Sequence, residues 1–114
     1  MLKRANRFHG HNSLNWAYKN GRSIRDPKIT LKYAQNPRRN SYRAAVVVSR
    51  KVSKSAVVRN RIRRRVYECF REQAKDIKGG ADLIFQVYSE EVASMPHNEL
   101  KQLVDRLLSE ALGA

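Results

Sequence analysis

The chain has few of the residues that disulfides, metal sites and protein active sites require. Its 114 residues include one cysteine, Cys69, and three histidines, His9, His11 and His97. One cysteine cannot form an internal disulfide, which fits a reducing cytoplasm. The histidines have no acid, nucleophile or second ligand at a suitable spacing. We therefore expect a cytoplasmic protein with no catalytic residue, no metal site of its own and no small-molecule substrate.

Long apolar runs are missing as well. No stretch approaches the length of a membrane span, and the opening sequence MLKRANRFHGHN lacks the apolar segment of a secretion signal. These features predict no membrane partner. With 41% hydrophobic residues, the chain is long enough to bury one core. We expect a single domain over residues 1–114, with a basic arm at residues 1–10.

Acidic residues are scarce over the first 71 positions. Residues 1–49 hold 11 Lys and Arg but one acid, Asp26, and residues 50–71 hold nine but one acid, Glu68. Residues 72–114 reverse this balance, with four basic and eight acidic residues. The net charge of +14 is therefore segregated, which indicates a polyanionic partner on one side of the fold. Nucleic acid is the favoured partner, and an anionic membrane surface is the alternative.

Apolar periodicity and turn signals predict an α+β domain. The expected elements are, in order, a helix at 12–21, strands at 28–34 and 42–49, a helix over 53–77, a strand at 83–88 and a helix at 94–112. The strands at 42–49 and 83–88 are nearly continuous in apolar residues, as in central strands. A further short strand near 22–25 also fits. Helices packed on a small mixed sheet form a two-layer sandwich.

Serine and asparagine side chains mark the expected helix starts. Asn12 or Ser13 is predicted to cap the first helix, Ser53 or Ser55 the second, and Ser94 the third.

The segment AVVRNRIRRRVYECF, residues 56–70, holds five arginines between Arg59 and Arg65. On a helix, the apolar residues form one stripe and the arginines lie on the other side. A solvated helix would mix charge signs at i,i+4, whereas this one places like charges together. Such a surface requires an anion to neutralise it, unless carboxylates of the acidic last third do so. Because a strand precedes the helix, recognition of RNA shape and backbone is favoured over a helix-turn-helix reader of DNA.

The segment SRKVSKSAVVRNRIRRRVYE resembles the signature of the bacterial ribonuclease P protein family. That signature has Lys, four residues, Ala-Val-x-Arg-Asn, two residues, Lys-Arg, two residues and Arg-Glu. The residues that match in register are Lys51, Ala56, Val57, Arg59, Asn60, Arg64 and Glu68. Arg63 stands where the family usually has lysine, and Tyr67 where it has arginine. The segment NRFHGHNSLNWAYKNG resembles the family's first helix, with Leu14 in place of a frequent aromatic residue.

The resemblance implies both a fold and a function. The fold would be α-β-β-β-α-β-α, of the kind found in the second domain of ribosomal protein S5, with a left-handed βαβ crossover around the arginine-rich helix. The chain would be the non-catalytic subunit of an endoribonuclease that removes the 5′ leader of precursor tRNA. Its partners would be the ribonuclease P RNA, which carries catalysis and holds most of the Mg²⁺, and the precursor tRNA.

Two groups of residues are predicted to contact RNA. The catalytic RNA is assigned to Arg50, Lys51, Lys54, Arg59, Asn60, Arg61, Arg63 and Arg64. The leader is assigned to a cleft between the first helix and the sheet, formed by Tyr18, Lys28, Thr30, Lys32 and Tyr33. The tyrosines would stack on unpaired bases, and the strand residues would contact the backbone.

Several side chains have structural interpretations instead. Leu14 is expected to pack on the sheet, Trp16 to lie on the outer surface and Cys69 to belong to the core, while Tyr18 suits packing and stacking equally. Two other functions remain open. A ribosomal protein or general RNA chaperone would share the charge but have no processing role. A stand-alone nuclease is disfavoured because the chain lacks acid or histidine pairs.

Overall fold

The computed structural model describes residues 7–8, 10–77 and 79–113, so most of the expected basic arm at residues 1–10 lies outside the described residues. The elements in these ranges are α1 (Gly10–Asn20), β1 (Arg22–Ile24), β2 (Ile29–Gln35), β3 (Arg43–Val48), α2 (Ala56–Ala74), β4 (Ala81–Val87), a short 3-10 helix (Glu90–Ala93) and α3 (His97–Gly113). Their order is the α-β-β-β-α-β-α order of the resemblance, and β1 confirms the short strand expected near 22–25.

The strands form one mixed sheet in the order β1-β2-β4-β3. Strands β1 and β4 each pair antiparallel with β2, whereas β3 pairs parallel with β4 across helix α2. The valine-rich β3 is therefore an edge strand, and the expectation that residues 42–49 form a central strand is wrong. Its apolar composition has another cause, because Ala44 and Val48 are buried under the helical layer. Arg7 forms a parallel bridge to Ala44 along the outer edge of β3.

The main core lies between the sheet and helices α2 and α3. Alternation along β4 directs Leu83, Phe85 and Val87 into this core. Helix α2 contributes the stripe of buried residues Ile62, Val66, Cys69, Phe70 and Ala74, and α3 contributes Leu100, Val104, Leu107, Leu108 and Ala111. Spacings of three and four residues put each set on one helical face. The sheet and these two helices are the layers of the expected sandwich, and Cys69 belongs to its core as predicted.

Helix α1 lies across part of the opposite face of the sheet. Its Tyr18 hydroxyl donates a hydrogen bond to Gln86 Oε1 at 3.0 Å, and Gln86 alternates with the core residues of β4. Ala17 and Ile84 are buried between α1 and the sheet face, while Trp16 is 38% exposed on the outer side, as predicted. We use the name α1 cleft for the angle between α1 and this sheet face, where the leader is predicted to bind.

The caps differ in part from expectation. Helix α1 begins at Gly10, so the positions of Asn12 and Ser13 lie inside it. For α2 the cap is Ser55, whose hydroxyl accepts the Val58 N–H at 3.3 Å. Ser94 does not cap α3, because it ends the preceding 3-10 helix and α3 begins three residues later.

Two glycines connect α2 to β4. Gly79 has a φ of 77°, a left-handed conformation that residues with a Cβ rarely adopt. A Cβ on Gly80 would lie 2.1 Å from the carbonyl oxygen of Asn36, whose own N–H donates to the Gly80 carbonyl at 2.6 Å. The close approach fixes the end of β2 against the start of β4, next to Asp82.

Candidate nucleic-acid interface

The outer side of α2 carries the arginine-rich segment, as the periodicity predicts. Ile62 and Val66 are fully buried, whereas Asn60, Arg61 and Arg64 are exposed. Three further arginines of the run are half-buried, namely Arg59, Arg63 and Arg65. The buried stripe therefore anchors the helix, and the charge faces solvent.

The arginines of this run are held by neutral groups rather than by acids. Arg59 donates to the Ser53 carbonyl at 2.9 Å, and Arg63 donates to Asn60 Oδ1 at 2.7 Å. Glu68 pairs instead with Arg71, at 3.7 Å. Within the described residues, no arginine of the run forms an ion pair with a carboxylate. Carbonyl and amide oxygens orient a guanidinium without cancelling its charge, so the positive field of this face remains available to an anion.

Arg65 has an internal role, and it is the one arginine of the run outside the predicted RNA contacts. Its guanidinium donates to the carbonyl of Val92 at 2.8 Å and to the carbonyl of Met95. These two carbonyls belong to the 3-10 helix and to the connection that leads into α3. Arg65 therefore ties α2 to the chain that enters α3.

The loop between β3 and α2 extends the basic surface. Arg50, Lys51 and Lys54 are exposed in this loop. Together with Ala56 and Arg59 they line a depression of about 650 Å³. The structure thus brings three predicted contacts from the loop next to the first arginine of the helix.

Two more concave surfaces flank Arg64, which lines both. One, of about 620 Å³, is lined by Arg61, Arg64, Arg65, Glu68, Ala93 and His97. The other, of about 480 Å³, is lined by Val46, Asn60, Arg63, Arg64 and Tyr67. We call the second one the α2–β3 groove. All eight residues predicted to contact the catalytic RNA line one of these three surfaces.

The α1 cleft brings together three of the five residues predicted to bind the leader. Thr30 and Lys32 alternate onto the sheet face that Gln86 and Tyr18 share. Burial raises the pKa of the Tyr18 phenol, with a smaller contribution from Tyr88, so the hydroxyl stays a neutral donor near pH 7. Tyr88 is 53% exposed and follows β4 on the same side as Gln86. Sequence reasoning missed Tyr88, although the alternation in LIFQVY places it opposite the core residues.

Of the other two predicted leader residues, Tyr33 lies on the opposite sheet face and Lys28 at the end of the cleft. Tyr33 alternates onto the opposite face of β2, where it packs against the main core beneath the guanidinium of Arg22, 5.8 Å from the ring centre. The period of two that puts Lys32 in the cleft therefore takes Tyr33 out of it. Lys28 precedes β2, and its ammonium lies 3.8 Å from a carboxylate oxygen of Glu91. The backbone N–H of Tyr88 donates a hydrogen bond to the carbonyl of Lys28. Lys28 therefore lies beside Tyr88, at the end of the cleft.

A buried ion pair, which sequence reasoning also missed, lies on the same sheet face as the cleft residues. Arg43 donates to both carboxylate oxygens of Asp82, at 3.0 and 2.7 Å, and Asp82 is fully buried. Asn36 donates to the same carboxylate, and the Phe8 ring lies 4.8 Å from the guanidinium of Arg43. The signal for this pair was an acid at the start of the apolar run ADLIFQV, opposite an arginine that begins β3.

Neither clustered metal-ligating side chains nor a membrane-spanning helix is found among the described residues. No group of three or more His, Cys, Asp or Glu side chains in residues 7–8, 10–77 and 79–113 is arranged to hold a metal ion. None of the helices in this part of the chain is long and apolar enough to cross a bilayer.

Comparison with known proteins places this architecture in a family. The model of the family described as Ribonuclease P matches residues 2–112. The chain is 34% identical over 110 residues to the ribonuclease P protein component of Chloroflexus aggregans, covering 96% of this chain and 80% of that one. It is 36% identical to the same component of Roseiflexus castenholzii, again over 110 residues, covering 96% and 88%.

A solved structure shares the fold. The RNase P protein of Staphylococcus aureus superposes with a TM-score of 0.82 at 23% identity, covering 96% of this chain and 97% of that one. Because the two structures superpose over nearly their whole length, the β3–α2–β4 crossover has the same hand in both. The α+β fold and the arginine-rich helix are thus accompanied by similarity over almost the whole chain. The chain belongs to the ribonuclease P protein component family.

Proposed function

We propose that this chain acts as the non-catalytic subunit of ribonuclease P, binding the catalytic RNA along α2 and the 5′ leader of precursor tRNA in the α1 cleft. The observation that carries this proposal is the run from Arg59 to Arg65, which is solvent-facing and has no carboxylate partner in the described residues. Like charges held at i,i+4 are unfavourable on their own. Phosphates of a folded RNA would offset that cost.

The hydrogen bonds within the basic face support specific roles for its residues. Arg59 and Arg63 are oriented by neutral oxygens, so each reaches a phosphate with less loss of side-chain freedom. Arg61 and Arg64 are exposed and form the outermost contacts. The loop cations Arg50, Lys51 and Lys54 extend the phosphate track beyond the start of the helix. No single one of these contacts carries base specificity, so the RNA is recognised by its shape.

The α1 cleft suits a single strand rather than a helix of RNA. It offers two tyrosines, Tyr18 and Tyr88, on which unpaired bases would stack. Lys32 lies on the same sheet face and would contact the sugar-phosphate backbone, whereas Thr30 beside it is only 8% exposed and would support the cleft from beneath. A leader held here would favour precursor over mature tRNA, because mature tRNA has no segment to fill the cleft.

In this proposal the chemistry belongs to the RNA subunit. The Mg²⁺ ions would be held mainly by RNA phosphates, since the described side chains form no cage for them. The protein would lower the Mg²⁺ requirement by supplying positive charge where phosphates crowd together. The site of action would be the cytoplasm, and the substrate would be precursor tRNA.

Reconstitution tests the proposal. A bacterial ribonuclease P RNA is mixed with the purified chain at low Mg²⁺, and release of the 5′ leader from labelled precursor tRNA is followed. We expect cleavage to be stimulated over RNA alone, and the chain alone to cleave nothing. Absence of stimulation by a preparation that circular dichroism shows to be folded would overturn the proposal. Cleavage by the chain alone would indicate a stand-alone nuclease.

The competing function is a ribosomal protein or general RNA chaperone. Such a protein would bind through the same basic face, but it would not distinguish precursor from mature tRNA. Affinities of the reconstituted complex for the two RNAs separate these functions. We expect tighter binding of the precursor, and equal affinities would favour the chaperone.

A further inference from the structure

The α2–β3 groove lies at the end of a column of aromatic rings. Phe85 of the central strand stacks on Phe70, with ring centres 4.9 Å apart and planes at 13°. Phe70 in turn stacks on Tyr67, at 5.0 Å and 26°. Phe85 and Phe70 are fully buried, whereas Tyr67 is half-buried and lines the groove. The column therefore runs from the middle of the core to the surface, and it ends where the groove begins.

The groove combines an apolar wall with a polar, cationic rim. Val46 of the edge strand β3 supplies apolar surface opposite Tyr67. Asn60, Arg63, Arg64 and Tyr67 follow one another at helical spacings of three and four, so they form a single strip along α2. The Asn60 carbonyl oxygen already accepts from Arg63, which points to its amide N–H₂ as the group available to a ligand. The volume, about 480 Å³, is within the range of about 300–1,000 Å³ usual for small-ligand sites.

We infer that the α2–β3 groove is a pocket for one unpaired nucleotide of RNA. The base of this nucleotide would stack on Tyr67 and so continue the aromatic column. The edge of the base would accept a hydrogen bond from the Asn60 amide N–H₂, and the phosphate would lie between Arg63 and Arg64. The Tyr67 ring matches the face of the base, the Asn60 amide matches an acceptor on its edge, and the two arginines match the phosphate. A bare phosphate uses only the rim, and a helical RNA backbone cannot place a base beside Val46.

This inference deepens the proposed function, on which it rests for the natural ligand. The signature that the sequence resembles has arginine at the position of Tyr67. An arginine there would add one more phosphate contact, whereas tyrosine ends an aromatic column and supplies a stacking surface. The groove therefore gives this chain a base-dependent contact within a face that otherwise reads only backbone.

The test compares AMP with ribose 5-phosphate, which lacks the base. The full chain, labelled with ¹⁵N, is titrated with each ligand, and the Val46 backbone amide and the Asn60 side-chain amide report binding. We expect AMP to bind at these residues about 5- to 150-fold more tightly than ribose 5-phosphate, the usual range for one base–aromatic contact. Tyr67→Phe should keep this ratio, whereas Tyr67→Leu should lower it to the part that the Asn60 amide supplies. Thermal unfolding of each variant checks that the fold is intact.

A third variant, Tyr67→Arg, changes mainly the affinity for the ligand without a base. Tyr67→Arg should lower the ratio mainly because it tightens the binding of ribose 5-phosphate, through one more phosphate contact. Equal binding of the two ligands by the unchanged chain would overturn the inference, and so would shifts confined to other surfaces. Because the titration contains no RNA subunit, its result is independent of the reconstitution experiment. Either proposal can therefore fail while the other stands.

Discussion

The arginines on the two faces of this molecule have opposite kinds of partner. On the sheet face that carries the α1 cleft, Arg43 is buried, and its Nε and Nη2 donate to the two carboxylate oxygens of Asp82. On the outer side of α2, Arg59 and Arg63 meet only carbonyl and amide oxygens, and Arg64 is exposed. On the first face, a carboxylate of the protein itself neutralises the arginine. On the second face, the guanidinium charges are not neutralised within the described residues and are available to an anionic partner.

The comparison indicates how to distinguish arginines that maintain a fold from arginines that bind an anion. A carboxylate partner cancels the charge, and burial makes each member depend on the other. A neutral partner orients the guanidinium and leaves its field intact. Arg65 is intermediate, since it lies in the basic run but its guanidinium is used by two backbone carbonyls. The predictions below test each of these classes.

The largest effect is expected from breaking the buried pair. Asp82→Ala leaves Arg43 charged and unpaired in the interior, which should lower the free energy of unfolding by about 3–5 kcal/mol. Urea denaturation measures the loss. The matched control is Asp105→Ala, which removes a partly exposed i,i+4 pair with Lys101 and should cost no more than about 0.5 kcal/mol. A loss below about 1 kcal/mol for Asp82→Ala would mean that the pair is not structural.

The next largest effect is expected on RNA binding. Arg61→Ala combined with Arg64→Ala removes two exposed cations and should weaken binding of the ribonuclease P RNA by about 3 kcal/mol, or roughly 150-fold. The log–log dependence of affinity on salt should become shallower by about two. Stability should be unchanged within about 0.5 kcal/mol, because both side chains are exposed. Filter binding at several salt concentrations and urea denaturation measure the two quantities. A stability loss without a change in salt dependence would contradict this assignment.

Arg65 should behave in the reverse way. Arg65→Ala removes a charged donor from the carbonyls of Val92 and Met95, so it should lower the free energy of unfolding by about 1.5–3 kcal/mol. The salt dependence of RNA binding should change little, because this guanidinium is directed at backbone oxygens. The same two assays apply. Unchanged stability together with a shallower salt dependence would place Arg65 among the RNA contacts.

A smaller effect is expected in the α1 cleft. Tyr18→Leu removes the stacking surface and should weaken precursor tRNA binding by about 1 kcal/mol, the lower end of the range for one base. Binding of mature tRNA should not change. Tyr18→Phe keeps the ring and serves as the control, since it removes only the hydrogen bond to Gln86. Equal losses for the two RNAs would mean that Tyr18 only packs α1 onto the sheet.

The smallest effect is expected from the titration of Cys69, which is buried on the inner side of α2. Burial raises the pKa of the Cys69 thiol from its usual value of 9.0, and it outweighs the opposing effects of Lys101 and Arg65. Folded protein should therefore react with a thiol reagent at pH 8 more slowly than unfolded protein. Above pH 9 the unfolded chain loses this proton first, so stability should fall as pH rises, and Cys69→Ala should remove that contribution. Rapid labelling of the folded chain would show that the thiol is not buried.

Much of the fold and of the basic face could be predicted from the sequence, because both follow from the spacing of apolar residues along helices and strands. The spacing of Ile62, Val66, Cys69 and Phe70 fixes which side of α2 is buried, and the arginines necessarily take the other side. The same argument places Thr30 and Lys32 on one face of β2. It also shows why Tyr33 is not in the cleft, since odd and even residues of a strand face opposite ways.

The rest depends on long-range neighbours that period does not reveal. Strand order is one case, because an apolar run is compatible with both a central and an edge position, and β3 lies at the edge. The Arg43–Asp82 pair joins two strands 39 residues apart in sequence. The internal partners of Arg65 belong to the short 3-10 helix and to the connection after it, neither of which has a sequence signature. Tyr88 follows the end of its strand, where alternation alone gives a weaker prediction.

The central claim is that an RNA backbone neutralises the basic face of α2. The most direct test is the affinity of the unchanged chain for a ribonuclease P RNA, measured over a series of monovalent salt concentrations at fixed Mg²⁺. If about four to six phosphates are neutralised, the log–log slope should lie near −3 to −5. A slope near −1 would mean that the arginines of α2 do not bind RNA phosphates, and it would contradict the account.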